Sequence, residues 1–112
     1  MDKILSLTKE NIWDIPMWKI RVYFLGMIKR IDRNFLETKE LKYKGHRFRL
    51  QFIFHPEVLK QIIVISDNPE DIRWLQKKIS EIAEEKEIYY YINNVKIHVE
   101  EKCVVVTNRY EE

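Results

Sequence analysis

The sequence of 112 residues is poor in the residues that build crosslinks, loops and phosphate cradles. It has one cysteine, Cys103, so no disulfide closes within the chain and no metal site can rest on thiolates. The setting of that cysteine, Cys103-Val104-Val105-Val106, reads as a buried structural thiol. Two glycines (Gly26, Gly45) and three prolines (Pro16, Pro56, Pro69) exclude a low-complexity linker and a glycine-rich phosphate loop. The longest apolar run, Val22 to Ile28, is far short of the roughly 20 residues a membrane span needs, so no membrane partner is expected. The opening Met1-Asp2-Lys3-Ile4 lacks the charged-then-apolar layout of a secretion signal, and a cytoplasmic protein is expected.

What is present describes a folded domain. Hydrophobic residues make up 46% and charged residues 34%, which predicts a single compact domain over residues 1–112. Alanine occurs once, at Ala83, whereas isoleucine occurs 16 times and lysine and glutamate 13 times each. Such enrichment resembles that of hyperthermophile proteins, although an AT-rich genome biases codons the same way. The net charge of +2 hides an uneven distribution. Residues 1–60 carry 13 basic and 7 acidic side chains (+6), and residues 61–112 carry 7 and 11 (−4). That asymmetry points to an anionic partner for the basic half, unless the fold mixes the halves in space.

Periodicity gives the elements. From Asp14 to Asn34, apolar residues at Met17, Ile20, Phe24, Met27 and Ile31 follow helical spacing, with Asp14 as cap and Pro16 in the first turn. The same stretch also reads as a strand, through Trp18, Ile20, Val22 and Phe24, with a bulge at Gly26; the helix explains more residues and is preferred. Leu36 to Lys44 and His46 to His55 form a predicted β-hairpin, which Pro56 ends. Leu59 to Ser66 is a third strand, whose continuous Ile62-Ile63-Val64-Ile65 predicts burial on both faces. Asp67 to Glu87 is a second helix, capped by Asp67 or Asn68, with Ile72, Leu75, Ile79 and Ile82 as its stripe. Glu87 to Ile92 and Val95 to Glu100 flank a turn at Asn93-Asn94, and Cys103 to Thr107 adds a further strand.

The expected fold is therefore α+β, a single domain with an antiparallel sheet of five or six strands and two helices. With residues 17–31 as a strand, the order of strands around one helix resembles an OB-fold, a small β-barrel, in pattern alone.

The hairpin carries the main functional expectation. With Lys44-Gly45 as the turn, Tyr43 faces His46, Lys42 faces Arg47, Leu41 faces Phe48 and Glu40 faces Arg49. Lys42 opposite Arg47 is a like-charge pair, easier to understand with an anion between the two. Charge for phosphates and an interleaved ring for bases are how single-stranded nucleic acid is held. The expected interface is Lys42, Tyr43, Lys44, His46, Arg47 and Arg49, extended by Arg30 and Arg33. The competing reading is a solvated, charge-rich surface.

Other constellations carry less. Tyr89 and Tyr91 share one strand face, expected to be covered by helices, with an exposed stacking or protein-partner surface as the alternative; Trp13, Trp18 and Trp74 read as core. His46, His55 and His98 are scattered, without metal-ligand spacing, and would make a metal-independent ribonuclease only if folding brought two of them together. Asp67, Glu70 and Asp71 read as helix capping. Glu84-Glu85-Lys86-Glu87 and Glu100-Glu101 form acidic edges suited to a second copy's basic half. The reading is a non-enzymatic binder of single-stranded nucleic acid or RNA, with no cofactor and no metal. The alternatives are a protein-interaction or regulatory module acting as a homodimer and, behind it, the ribonuclease.

Overall fold

The computed structural model describes residues 13, 15–55, 58–92 and 95–108. The expected cap at Asp14, the strand end at Pro56 and the Asn93-Asn94 turn lie outside the described residues. In chain order the elements are α1 (Met17–Tyr23), β1 (Ile28–Asp32), β2 (Phe35–Thr38), β3 (Leu41–Tyr43), β4 (His46–Phe54), β5 (Leu59–Ile65), α2 (Pro69–Ile82), β6 (Glu84–Lys86), β7 (Tyr89–Ile92), β8 (Val95–Val99) and β9 (Cys103–Asn108).

All strands join one antiparallel sheet in the order β1-β2-β4-β5-β9-β8-β7-β6, with β3 pairing the start of β4. The α+β class is as expected, but the sheet has nine strands instead of five or six. Its described edges, β1 and β6, are not paired with each other, so the sheet is open and not an OB-like barrel.

Three local facts account for the extra strands. The helical spacing over residues 17–31 breaks after Tyr23, with Phe24 as the helix cap, and Gly26, at φ +83°, turns the chain toward β1. Met27 and Ile31, expected on the helix's inner stripe, are exposed instead. The single strand expected over Leu36 to Lys44 divides at Lys39-Glu40, where the Lys39 N–H turns back to the Met27 carbonyl at 2.7 Å. The last residues of the expected second helix become β6, because Glu84 to Lys86 pair with the β-favouring Tyr89 to Tyr91. The hairpin register is as expected, with Leu41–Phe48, Lys42–Arg47 and Tyr43–His46 as partners. Lys44 and Gly45 both have positive φ, 49° and 83°, as a two-residue turn of this twist requires.

Alternation along β4 sorts the two faces. Phe48, Leu50, Phe52 and Phe54 point inward and are buried; β5, β9 and β8 add Ile62, Val64, Val104, Val106, Val95 and Ile97. Both helices cover this inner face. From α2, Ile72, Leu75 and Ile79 are buried against it. From α1, Ile20 and Phe24 are buried, and the Phe24 ring lies 5.6 Å from Phe52. The outer face carries no described element, a correction to the expectation that Tyr89 and Tyr91 are covered by helices.

The strand order also settles where the charge goes. First-half strands β1 to β5 occupy one side of the sheet, and second-half strands β9 to β6 the other. The basic strands β1 to β4 and the acidic strand β6 thus lie toward opposite ends of the sheet, while Asp67 and Asp71 at the start of α2 reach the hairpin, where they meet Arg49 and His46.

Candidate binding surface

The hairpin residues divide between two faces of the sheet. Lys42 and Arg47 are partners on the outer side and both exposed. Tyr43 and His46, the next pair, turn to the inner side, where Tyr43 lies 6.2 Å from Trp74 and His46 stacks on Trp74 at 4.3 Å and 21°. The stacking ring and the cationic pair expected to act together thus face opposite ways. Arg47 pairs with Glu40 at 3.5 Å and Arg49 with Asp67 at 3.2 Å. The predicted Glu40–Arg49 pair is replaced by these two. Arg30 lies over the Phe35 ring at 4.7 Å and 4.0 Å from Glu37, on the sheet's edge. Arg33 sits in the β1–β2 turn beside the far end of β4, where the neighbouring Asn34 carbonyl accepts from the Phe54 N–H. At 3.3 Å per residue that is about 25 Å from the hairpin tip. The eight expected residues therefore do not form one patch.

His46 instead belongs to a buried clasp. Its Nδ1–H donates to Asp71 Oδ1 at 2.8 Å, and Ser66 Oγ donates to Asp71 Oδ2 at 2.7 Å. Ser66 Oγ also accepts from the Asn68 N–H at 3.2 Å. Asn68, not Asp71, caps α2, accepting from the Glu70 N–H at 3.0 Å. Burial pulls the Asp71 carboxyl upward, but hydrogen bonds from Ser66, His46 and the Arg47 N–H, with the charge on His46, outweigh it and hold its pKa below the ordinary 3.8. The clasp ties the hairpin to the start of α2. Sequence reasoning treated Asp71 as capping, because His46 lies 25 residues away in the chain. Beside it, Glu40, Arg47, Ser66, Asp67 and Asn68 line a cleft of about 360 Å³ whose charge is mainly acidic.

No pair of histidines suited to acid–base chemistry assembles among the described residues. His46 and His55 bracket β4, about 30 Å apart at the strand rise, and His98 faces the outer side of β8. Among the described residues no group of three or more His, Cys, Asp or Glu side chains is placed to hold a metal ion. No described helix is long and apolar enough to cross a membrane.

The surface that stands out is the open face of the sheet. Its centre interleaves aliphatic and polar side chains: Ile53 on β4, Ile63 and Ile65 on β5 and Val105 on β9, with Ile63 directly opposite Val105, alternate with Arg49, Gln51, Gln61 and Thr107, and Gln61 donates to Thr107 Oγ1 at 3.3 Å. Each alternates with a buried neighbour, so each is half-covered by its own sheet and by nothing above it that the structure describes. Toward β7 lie Tyr89, Tyr91, Lys96 and His98, with the Tyr89 ring 5.4 Å from His98 and Lys96 Nζ 4.9 Å above Tyr89. Toward β1 lie Phe35 and Arg30, and a Gln51–Glu37 hydrogen bond of 2.9 Å. Cys103 belongs to this face and is half-exposed, a correction to the buried thiol expected. Burial, and then the Glu100 carboxylate 3.0 Å from its sulfur, push its thiol up to about 11, which leaves it protonated and poorly nucleophilic at neutral pH. The pleat of β5 and β9 divides their continuous apolar runs into inward and outward sets; only the position of the described helices shows which set they cover.

Among the described residues the fold is a two-layer α+β arrangement with one sheet face that no described element covers. Comparison with protein-family models, curated proteins and solved structures gives no match.

Proposed function

We propose that the chain is a non-enzymatic interaction module that self-associates through the open face of its sheet. The observation that carries this reading is a set of aliphatic side chains (Ile53, Ile63, Ile65, Val105) interleaved with Gln51, Gln61 and Thr107 and flanked by aromatic and charged groups. A protein interface joins apolar area to polar groups in this way. Aliphatic side chains offer nucleic-acid bases no stacking platform.

Two further arguments favour a second copy as the occupant. The molecule measures 33 × 32 × 20 Å, so its broad face offers about 1,000 Å², enough for the roughly 800 Å² per partner of a standard interface. A two-fold axis parallel to the strands, at the β5–β9 boundary, lays Ile63 and Val105 of the two copies together. It also lays the basic end of each sheet over the acidic end of the other. Ile63→Lys, on the outer face and away from the inner core, should convert a dimer to a folded monomer. Light scattering together with circular dichroism reads both; a variant of unchanged mass overturns the proposal.

A second reading, single-stranded nucleic acid on the hairpin, is favoured by one observation: Lys42 remains exposed opposite Arg47, and Lys44 Nζ lies 5.3 Å over the Tyr43 ring. It predicts anisotropy of labelled single-stranded DNA or RNA that falls with salt and with Lys42→Glu/Arg47→Glu. Absence of binding at low salt removes it.

A further inference from the structure

The described chain leaves nine large hydrophobic side chains exposed, and six fall between residues 18 and 31. On α1, Ile20 and Phe24 face the core, which turns Trp18 and Val22 outward one helical turn apart; they are 62% and 63% exposed. Leu25 continues the row in the turn that follows and is 78% exposed, and Tyr23 and Met27 flank it. These side chains sit on the helical layer, behind the sheet face discussed above, so a sheet-to-sheet dimer leaves them uncovered.

The same segment is strongly basic. Residues 17–33 contain Lys19, Arg21, Lys29, Arg30 and Arg33 against a single acid, Asp32. Lys19 lies with its Nζ 5.6 Å from the Trp18 ring, and Arg21 and Lys29 are exposed. Its β1 residues lie at the opposite end of the sheet from the acidic strand β6. Two such patches meeting about a two-fold axis would bring like charges together, which disfavours a second copy here. The occupant must be apolar and anionic at once.

We infer that α1 and the turn after it dock on an anionic lipid surface. Trp18, Val22 and Leu25 enter the headgroup–acyl boundary, where an indole with one polar edge is well placed, and Lys19, Arg21 and Lys29 meet the lipid phosphates and carboxylates. A nucleic acid satisfies the cations but leaves Val22 and Leu25 in water. A lipid surface satisfies both sets. The attachment is peripheral and reversible, because the apolar part is two helical turns long.

Trp18 is also the reporter: Trp13 is buried and Trp74 is half-buried against His46. Vesicles of phosphatidylcholine with phosphatidylserine should co-sediment the protein and shift its tryptophan emission to the blue. Vesicles of phosphatidylcholine alone should do neither. Lys19→Glu/Arg21→Glu should weaken the partition about tenfold or more, given two reversed charges near an anionic surface. Trp18→Ser, at an exposed position, should keep the circular dichroism of the fold and abolish the blue shift. Ile63→Lys, on the opposite layer, should bind vesicles as the unmodified chain does. Absence of sedimentation with serine-containing vesicles at low salt overturns the inference, as does a blue shift that survives Trp18→Ser. Capture by polyglutamate without capture by vesicles overturns it too and assigns the patch to an acidic polypeptide.

Discussion

Phe52→Ala should lower the unfolding free energy by about 3–5 kcal/mol, the largest effect expected of any single substitution here. Phe52 is 2% exposed at the middle of β4, the strand that β2, β3 and β5 all join. Its ring meets Phe24, one of the two buried residues by which α1 is held, so truncation opens a cavity between the sheet and that helix. A domain of this size has a total stability of about 5–15 kcal/mol, so the loss takes about a fifth of it or more. Urea unfolding of variant and parent measures it. A loss below about 1 kcal/mol would mean that α1 does not pack where the structure places it.

Asp71→Ala comes next, at about 2–4 kcal/mol. The substitution leaves three donors without their acceptor: Ser66 Oγ, His46 Nδ1 and the Arg47 N–H. Ser66 is 3% exposed and directs its hydroxyl to Asp71. Asp71→Asn keeps the shape and loses the charge, and should cost less. The effect also carries a pH signature. The Asp71 carboxyl titrates below its ordinary 3.8 in the folded chain, so its stabilisation is fully present above that value and fades as the pH falls through the lowered one. Below it, the difference in stability between parent and Asp71→Asn should shrink. A difference that stays constant from neutral pH to the acid limit would show that charge on Asp71 contributes nothing.

Parts of this architecture were legible in the chain and parts were not, for reasons that differ by element. The hairpin register followed from Leu41 and Phe48 as the apolar pair and Gly45 as the turn, all within eight residues. The inward set of β4 followed from Phe48, Leu50, Phe52 and Phe54. The clasp did not follow, because Ser66, Asp71 and His46 meet only once α2 lies across the hairpin. The first helix was read too long, because Met27 and Ile31 fall on helical spacing by coincidence while the helix ends after Tyr23 and Gly26 turns the chain toward β1. β6 was hidden in helix-favouring Glu and Lys, whose pairing with a tyrosine strand prevailed over propensity. Most of the binding surface was illegible for one reason. Period-2 alternation divides residues into two faces but does not say which face the helices cover. Ile63 and Ile65 stand in a continuous apolar run, which suggests burial on both sides, whereas no described element covers the outer side.

The central claim is that this open face holds a second copy of the chain. Sedimentation equilibrium of the unmodified protein, followed by dilution from tens of micromolar to well below one micromolar, tests it most directly. The account predicts a mass near twice 13.8 kDa at the upper end, falling toward 13.8 kDa on dilution. A mass of 13.8 kDa at every concentration would contradict it.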